Sequence, residues 1–392
     1  MSLIFRPLID LCDASVASID PKREPDREFL YIDISAVDNA TKRIVSPQKV
    51  TGKLASVRAR QVVRKNDVLV STTRPNLNAV ALVAAHYDGQ VCSSGFCVLR
   101  CGPELIPDYL FSFVQSPAFV QPLSDLVKGG LYPAVSDKQV RAQQISWVPV
   151  DKQRSIAAEL KIQLAAVAQA RQAAKDQIDE LTNLAHAIIR ETLNHPDTET
   201  HLLGDVLDEV KRGVGANWAD YPVLGATRSG LAPAREPVGK TPERYKPVFA
   251  GTVFYNPMRI LIGSIAMVDD HDAPGITSPD YVVLRGRAGL VDSRWFYYWL
   301  RSSEGERCIA SLARGAVRER MLFNRLAEGE ISLPPYEVQV AASKALADIR
   351  PLKTHVEAQL RDIELLPSRL LAAVFGPVSS AKDDTALVSD DL

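Results

Sequence analysis

The chain repeats itself, and that limits what it can fold into more than any other feature. Slid by 185 positions, DVLVSTTR (67–74) falls on TVFYNPMR (252–259). The offset holds without a gap for AVALVAAH (79–86) on SIAMVDDH (264–271), FCVLR (96–100) on YVVLR (281–285), YLFSF (109–113) on RWFYY (294–298), and Gly130 on Gly315. About a dozen identities fall in roughly 64 ungapped pairs, where about four would arise by chance; a fixed period of this kind marks a repeated structural unit. After one added residue, ISWVPVDKQ (145–153) lies on ISLPPYEVQ (331–339), and upstream PLIDLCD (7–13) resembles LLGDVLD (202–208), with insertions between.

Each copy follows one grammar. Short strand-like runs bounded by Gly, Pro, Asn and Asp come first. A helix-like piece follows, then a glycine-containing loop, a short strand, and a long helical stretch opened by an acid, Asp151 or Glu337. In the first long stretch Ile156, Leu160, Leu164, Val167, Ala174, Ile178, Leu181, Leu184 and Ile188 recur at steps of three and four. In the second, Leu346, Ile349, Leu352, Val356, Leu360, Ile363, Leu366, Leu370 and Val374 do so. Sustained spacing near 3.5 reads as coiled coil, with rods of about 50–60 Å at 1.5 Å per residue. Pro351 and Pro367 predict a kink or interruption in the second.

The expected class is α+β: two duplicated globular domains separated by two long helices packed as an antiparallel coiled coil. The expected boundaries are 1–150, a helix at 151–195, 196–336, a helix at 337–376, and a disordered acidic tail at 377–392. At 392 residues the chain is long enough for such domains to bury their own cores.

Composition narrows the function classes. A net charge of −1 argues against a protein that coats nucleic acid non-specifically, though not against local basic loops. The start, MSLIFRPLIDLCDAS, lacks a basic flank followed by an apolar run, and no stretch approaches the ~20 apolar residues that span a bilayer. Five cysteines, an odd number, suggest reduced thiols and a cytoplasmic location. Cys92, Cys97 and Cys101 have the look of a zinc cluster, but the second copy carries Thr277, Val282 and Gly286 there, so no metal is expected. His86 and His271 are equivalent, and without a second ligand at metal spacing they read as turn residues making local hydrogen bonds.

Catalytic signatures are missing. Neither GxGxxG nor GxxxxGK[ST] occurs. YNPM (255–258) and LPPYE (333–337) each fall short of the Asn/Asp-Pro-Pro-aromatic signature of adenine methyltransferases.

Domain, long helix, domain, long helix, with a Pro-containing strand entering each helix at a Gln, resembles the specificity subunit of type I restriction-modification systems. The pieces that carry the resemblance are ISWVPVDKQRSIA (145–157) and ISLPPYEVQVAAS (331–343), together with KNDVLVSTTR (65–74) and AGTVFYNPMR (250–259). It covers residues 4–376. The first copy lacks the second Pro (Val148-Pro149), Lys152 and Val338 replace a Glu before each Gln, and Asn66-Asp67 and Gly251-Thr252 each keep half of a Gly-Asp pair. The resemblance implies that each domain reads one half of a split, asymmetric DNA target while the helix pair sets the gap, at about 3.4 Å per base pair. It implies two modification subunits that bind S-adenosylmethionine, methylate adenine and dock on the helices. Restriction subunits using ATP and Mg are a further possible partner. This chain would hold no cofactor and carry no chemistry. The competing expectation is a non-enzymatic adaptor whose duplicated domains bind proteins.

If DNA is the ligand, certain residues stand out. Arg74 and Arg259 sit at equivalent strand ends; arginine is the commonest bidentate partner of guanine, and Asn76 or Asn78 suits adenine. The bland alternative is an arginine that braces its strand. The post-helix loops 128–141 and 313–325 combine glycine, which admits close backbone approach, with cations. Lys128, Gly129, Tyr132, Lys138 and Arg141 are the candidates in the first, and Arg314, Arg318 and Arg320 in the second, against the alternative of a solvated basic loop. The aromatic run WFYYWL (295–300) reads as core sooner than as a base-stacking platform.

Overall fold

A computed structural model describes residues 4–129, 133–313 and 320–376. The expected tail at 377–392 lies outside the described residues. The chain divides into two compact units: one holds the residues up to Gln172 together with those from Arg361 on, the other holds Ala173–Leu360.

The duplication is visible at the level of single residue pairs. In the first unit Val68–Ser71 is the centre of a three-stranded antiparallel sheet between Phe96–Leu99 and Val80–Leu82. In the second, Thr252–Tyr255 lies between Val282–Gly286 and Ile265–Val268, with Leu207–Glu209 added outside. Leu69 pairs with Val98 and Ala81, and Phe254, 185 residues on, pairs with Val283 and Ala266. Both registers follow the same offset.

These strands read as continuous apolar runs because both faces of each sheet are covered. Val68, Val70, Cys97 and Leu99 face a core shared with the short helices Pro107–Phe113 and Pro117–Asp125. Leu69, Ala81, Phe96 and Val98 face a second core with Ile32, Val37 and Val63. The second unit splits likewise: Val253, Tyr255 and Leu284 face one core, Phe254, Ala266 and Val283 another. Trp295, Phe296, Trp299 and Leu300 are buried in helix Ser293–Leu300, so the aromatic run is core.

What differs between the copies is mostly the segment before the central strand and how it pairs with the strand at Val91–Ser93 or, in the second copy, Gly275–Thr277. In the first, Gln48–Thr51, Glu28–Ile32, Val91–Ser93 and Ala59–Val62 form a four-stranded mixed sheet. In the second, the hairpin Leu224–Thr227/Gly230–Pro233 and the pair Lys246–Val248/Gly275–Thr277 stand there.

The long helices are Val150–Leu193 and Tyr336–Phe375. In the first unit Ala157 and Leu160 share a core with Leu371 and Phe375. In the second, Ala185 and Ile189 share one with Ala342, Leu346 and Ile349. The start of each helix is partnered by the end of the other, so they run antiparallel. Two expectations need correction. Leu184, Leu352 and Leu366 are exposed; the buried stripe passes to Ala185, Ile189 and Leu371, because a straight helix drifts from a strict seven-residue repeat. The second helix is also not interrupted at Pro351 or Pro367 but continues through both. Pro351 faces solvent, where water can satisfy the carbonyl its ring releases.

The motif glutamines turn out to be fasteners. Gln153 is fully buried. Its Nε2 donates to Glu104 O and Val148 O, both at 2.8 Å, and its Oε1 accepts from Ile106 N at 2.9 Å. Gln339 repeats this with Leu290 O and Pro334 O, both at 2.9 Å, and Asp292 N at 3.0 Å. One carboxamide ties the strand-to-helix junction to the loop that opens the preceding helix. The split Gly-Asp pair has an equally local cause. Asn66 and Gly251 both take a positive φ, 72° and 80°, a conformation open to Gly and tolerated by Asn. Asp67, 1% exposed, binds Arg100 through two hydrogen bonds, at 2.8 and 2.7 Å, whereas Thr252 satisfies itself by donating to Phe249 O.

Candidate nucleic-acid interface

The loop that leaves each central strand is tied to the loop that follows the short helices. Val135 N donates to Thr72 O at 2.8 Å, and Met321 N to Pro257 O at 3.0 Å. These are the same bond in both copies, at offsets of 185 and 186 positions. In the first copy Arg74 N adds a bond to Pro133 O at 2.8 Å. The two elements singled out in the sequence are thus one surface in each repeat.

Arg74 and Arg259 are exposed, and neither guanidinium makes a hydrogen bond or ion pair among the described residues. Among the described residues, then, neither side chain braces its strand. Arg74 and Asn78 are both left-handed, at φ 50° and 48°, and bracket the turn Pro75–Leu77. Non-glycine residues held in that region cost free energy and cluster where function needs a fixed loop. Asn78 is used internally, its Nδ2 donating to Val114 O at 2.7 Å, so Asn76, which is exposed, is the amide left for a ligand. In the second copy the equivalent turn is Ile260–Ile262.

The other candidates divide. Lys128 is exposed but paired with Asp125 at 2.6 Å, and Gly129 takes φ 83° beside it. Lys138 is exposed and unpaired among the described residues. Arg141 is only 8% exposed and donates to Asp13 O at 2.7 Å and Val98 O at 2.8 Å. Helix Asp137–Arg141 turns that side chain inward, where it pins the N-terminal segment, and this removes Arg141 from the contact set. Arg320 is exposed and paired with Asp280 at 3.2 Å. Tyr132, Arg314 and Arg318 lie outside the described residues. His86 and His271 are exposed on turns, and neither ring forms the expected local hydrogen bond among the described residues.

Cys92 and Cys97 are fully buried, and burial pushes the Cys97 thiol up to about 12. Both are packing residues. Among the described residues no group of three or more His, Cys, Asp or Glu is placed to hold a metal ion, and no helix is long and apolar enough to cross a membrane.

Lys42 was not visible as a candidate from sequence. Its Nζ donates to Asn78 O at 2.6 Å, capping the strained turn. Burial pulls its amine down to about 8 from 10.5, with nearby Asp38 opposing. Between those values the unfolded chain binds more protons than the folded one, so this group makes stability rise with pH across roughly pH 8 to 10.5. Wild type should show that rise in urea unfolding, and Lys42→Met should lack it. Equal slopes in both proteins would refute the assignment.

No family model matches the chain, and no curated protein does. Solved structures match nearly all of it. A chain of a type I restriction-modification system, studied for complex assembly and conformational transition, superposes with a TM-score of 0.73 at 25% identity, over 96% of this chain and 99% of that one. The HsdS subunit from Thermoanaerobacter tengcongensis gives 0.56 at 26% identity, over 95% and 96%. The S subunit of a type I system from M. genitalium gives 0.52 at 14% identity, over 96% of each chain, a likeness of fold.

Proposed function

We propose that this chain is a DNA-recognition subunit of the type I restriction-modification kind, and that each of its two repeats reads one half of a split, asymmetric target. The observation that carries this reading is the pair Arg74 and Arg259. Two sheets of identical register present an exposed guanidinium, unpaired among the described residues, at the same loop, and the neighbouring residues differ: Asn76 stands where the second copy has Leu261. A shared frame with unlike tips suits two half-sites of unlike sequence. Lys138 in the first repeat and Arg320 in the second supply phosphate contacts beside these tips, and Lys128 and Gly129 extend the first.

The antiparallel helices set the gap between half-sites and dock two adenine methyltransferase subunits. S-adenosylmethionine belongs to those partners, as do ATP and Mg to any restriction subunit. This chain supplies sequence choice and no bond-making group.

The test is selection from a random duplex library by the complex of this chain with its modification subunits. Wild type should enrich one bipartite motif. Arg74→Ala should relax base preference in one half only and Arg259→Ala in the other, each by about 1–3 kcal/mol at a single position. Enrichment of no split motif, or relaxation of both halves by one variant, would overturn the reading.

A further inference from the structure

Charge is not spread evenly along this chain. Residues 20–65 hold eleven Lys and Arg against six Asp and Glu, and residues 210–247 hold seven against three, in a chain of net charge −1. All other residues together therefore carry −10. The two basic stretches are those that the repeat does not share: the four-stranded sheet region of the first unit and the hairpin region of the second.

Within the first stretch, Arg27, Lys49 and Arg60 are paired with Glu24, Glu28 and Asp20. Lys22, Arg23, Lys53 and Arg58 are exposed, with no side-chain hydrogen bond or ion pair among the described residues. Two of them flank the loop between strands Gln48–Thr51 and Ala59–Val62. That loop is fastened at both ends. Gly52 N donates to Arg27 O at 3.0 Å and Lys53 N to Pro25 O at 2.9 Å. A Cβ on Gly52 would lie 2.2 Å from the carbonyl oxygens of both Pro21 and Glu24, so the turn bearing Lys53 is pressed against the turn bearing Lys22 and Arg23. At the far end Arg60 Nε donates to Val57 O at 3.0 Å, and Ser94 N to Arg58 O at 2.8 Å.

This built loop shows two apolar side chains to water: Leu54 is 77% exposed and Val57 69%. Neither adds to a core. A polyanion whose grooves also offer apolar edges, thymine methyls and the faces of opened base steps, matches cations flanking an apolar pair.

We propose that the 52–58 loop of the first repeat enters a groove of the target duplex, with Lys53 and Arg58 on phosphates and Leu54 and Val57 against base edges. This rests on the DNA-recognition reading above and adds a second, basic and apolar, contact element to the loop of Arg74.

The test uses the complex with the modification subunits and measures binding to target and random duplexes from about 50 to 300 mM salt, a range over which each phosphate contact changes affinity by about fivefold. Lys53→Gln/Arg58→Gln should weaken binding to both duplexes and flatten the slope of log K against log salt by about 2. Leu54→Ser/Val57→Ser should leave that slope alone and cut the preference for target over random duplex by about tenfold. Wild-type affinity, slope and preference in both variants, with wild type itself selective, would overturn the loop proposal alone. Loss of modification-subunit binding instead would make the patch a protein interface and overturn it too. A wild-type complex with no sequence preference would overturn the recognition reading and this proposal together. All four residues are exposed, so unchanged thermal unfolding of the variants is expected and checks that the fold is intact.

Discussion

Gln153→Ala lowers the stability of the first unit by about 3–5 kcal/mol. The substitution removes the partner that one buried side chain gives to the amide of Ile106 and the carbonyl of Val148, and leaves Glu104 O with only its bond from the Trp147 indole; each unsatisfied group costs about 1–3 kcal/mol. Gln153→Glu is the sharper variant. It keeps the shape but replaces two N–H donors with an acceptor, so at neutral pH it should fare no better than alanine. Urea unfolding followed by Trp147 fluorescence reports on the right corner, since the Trp147 indole also donates to Glu104 O, at 3.3 Å. A loss below about 1 kcal/mol would mean that water replaces the carboxamide without penalty. Gln339→Ala should do the same in the second unit, because the three bonds recur there.

Asp67→Ala should cost a similar amount, about 3–5 kcal/mol, by leaving the Arg100 guanidinium without its partner in a mostly buried place. The attraction of the pair does not by itself prove that it stabilises the fold, since desolvating both ions opposes it. The second repeat decides what the compensating change looks like. There Thr252 stands at the position of Asp67, and the equivalent Arg285 is exposed. Asp67→Thr combined with an apolar residue at Arg100 should therefore recover most of the loss. A double-mutant cycle by chemical unfolding measures this, and additive losses would show that the two side chains are not coupled.

The frame of this molecule was legible in the sequence because a sheet covered on both faces demands apolar residues at every strand position. Leu69, Val98 and Ala81 keep their character in Phe254, Val283 and Ala266, so an ungapped offset recovers the register. The glutamines were legible too, as part of a resemblance, but not their work: only the folded chain brings Glu104, Ile106 and Val148 around one carboxamide. Arg141 misled because a basic loop and a basic residue at the end of a five-residue helix look alike in one dimension. Leu184, Leu352 and Leu366 misled because a heptad count accumulates error along a straight helix. Lys42 and the 52–58 loop lie where the copies do not align, so no equivalent position in the second copy marks them. A segment-by-segment charge count would have pointed there.

The two units differ in when they can exist. Leu371 and Phe375 belong to the core of the first unit, with the Phe375 ring 5.1 Å from Tyr109 and 5.5 Å from Phe113. The second unit draws its residues from one uninterrupted stretch. On the ribosome, the first repeat to emerge is thus the last to be completed. It waits with Tyr109 and Phe113 uncovered while about 200 further residues are made, some ten to forty seconds at about 5–20 residues per second. During that interval its apolar seam is open to any other chain with a matching helix, including the tail of another copy. Translation order, not only final stability, then determines which chain end closes which core.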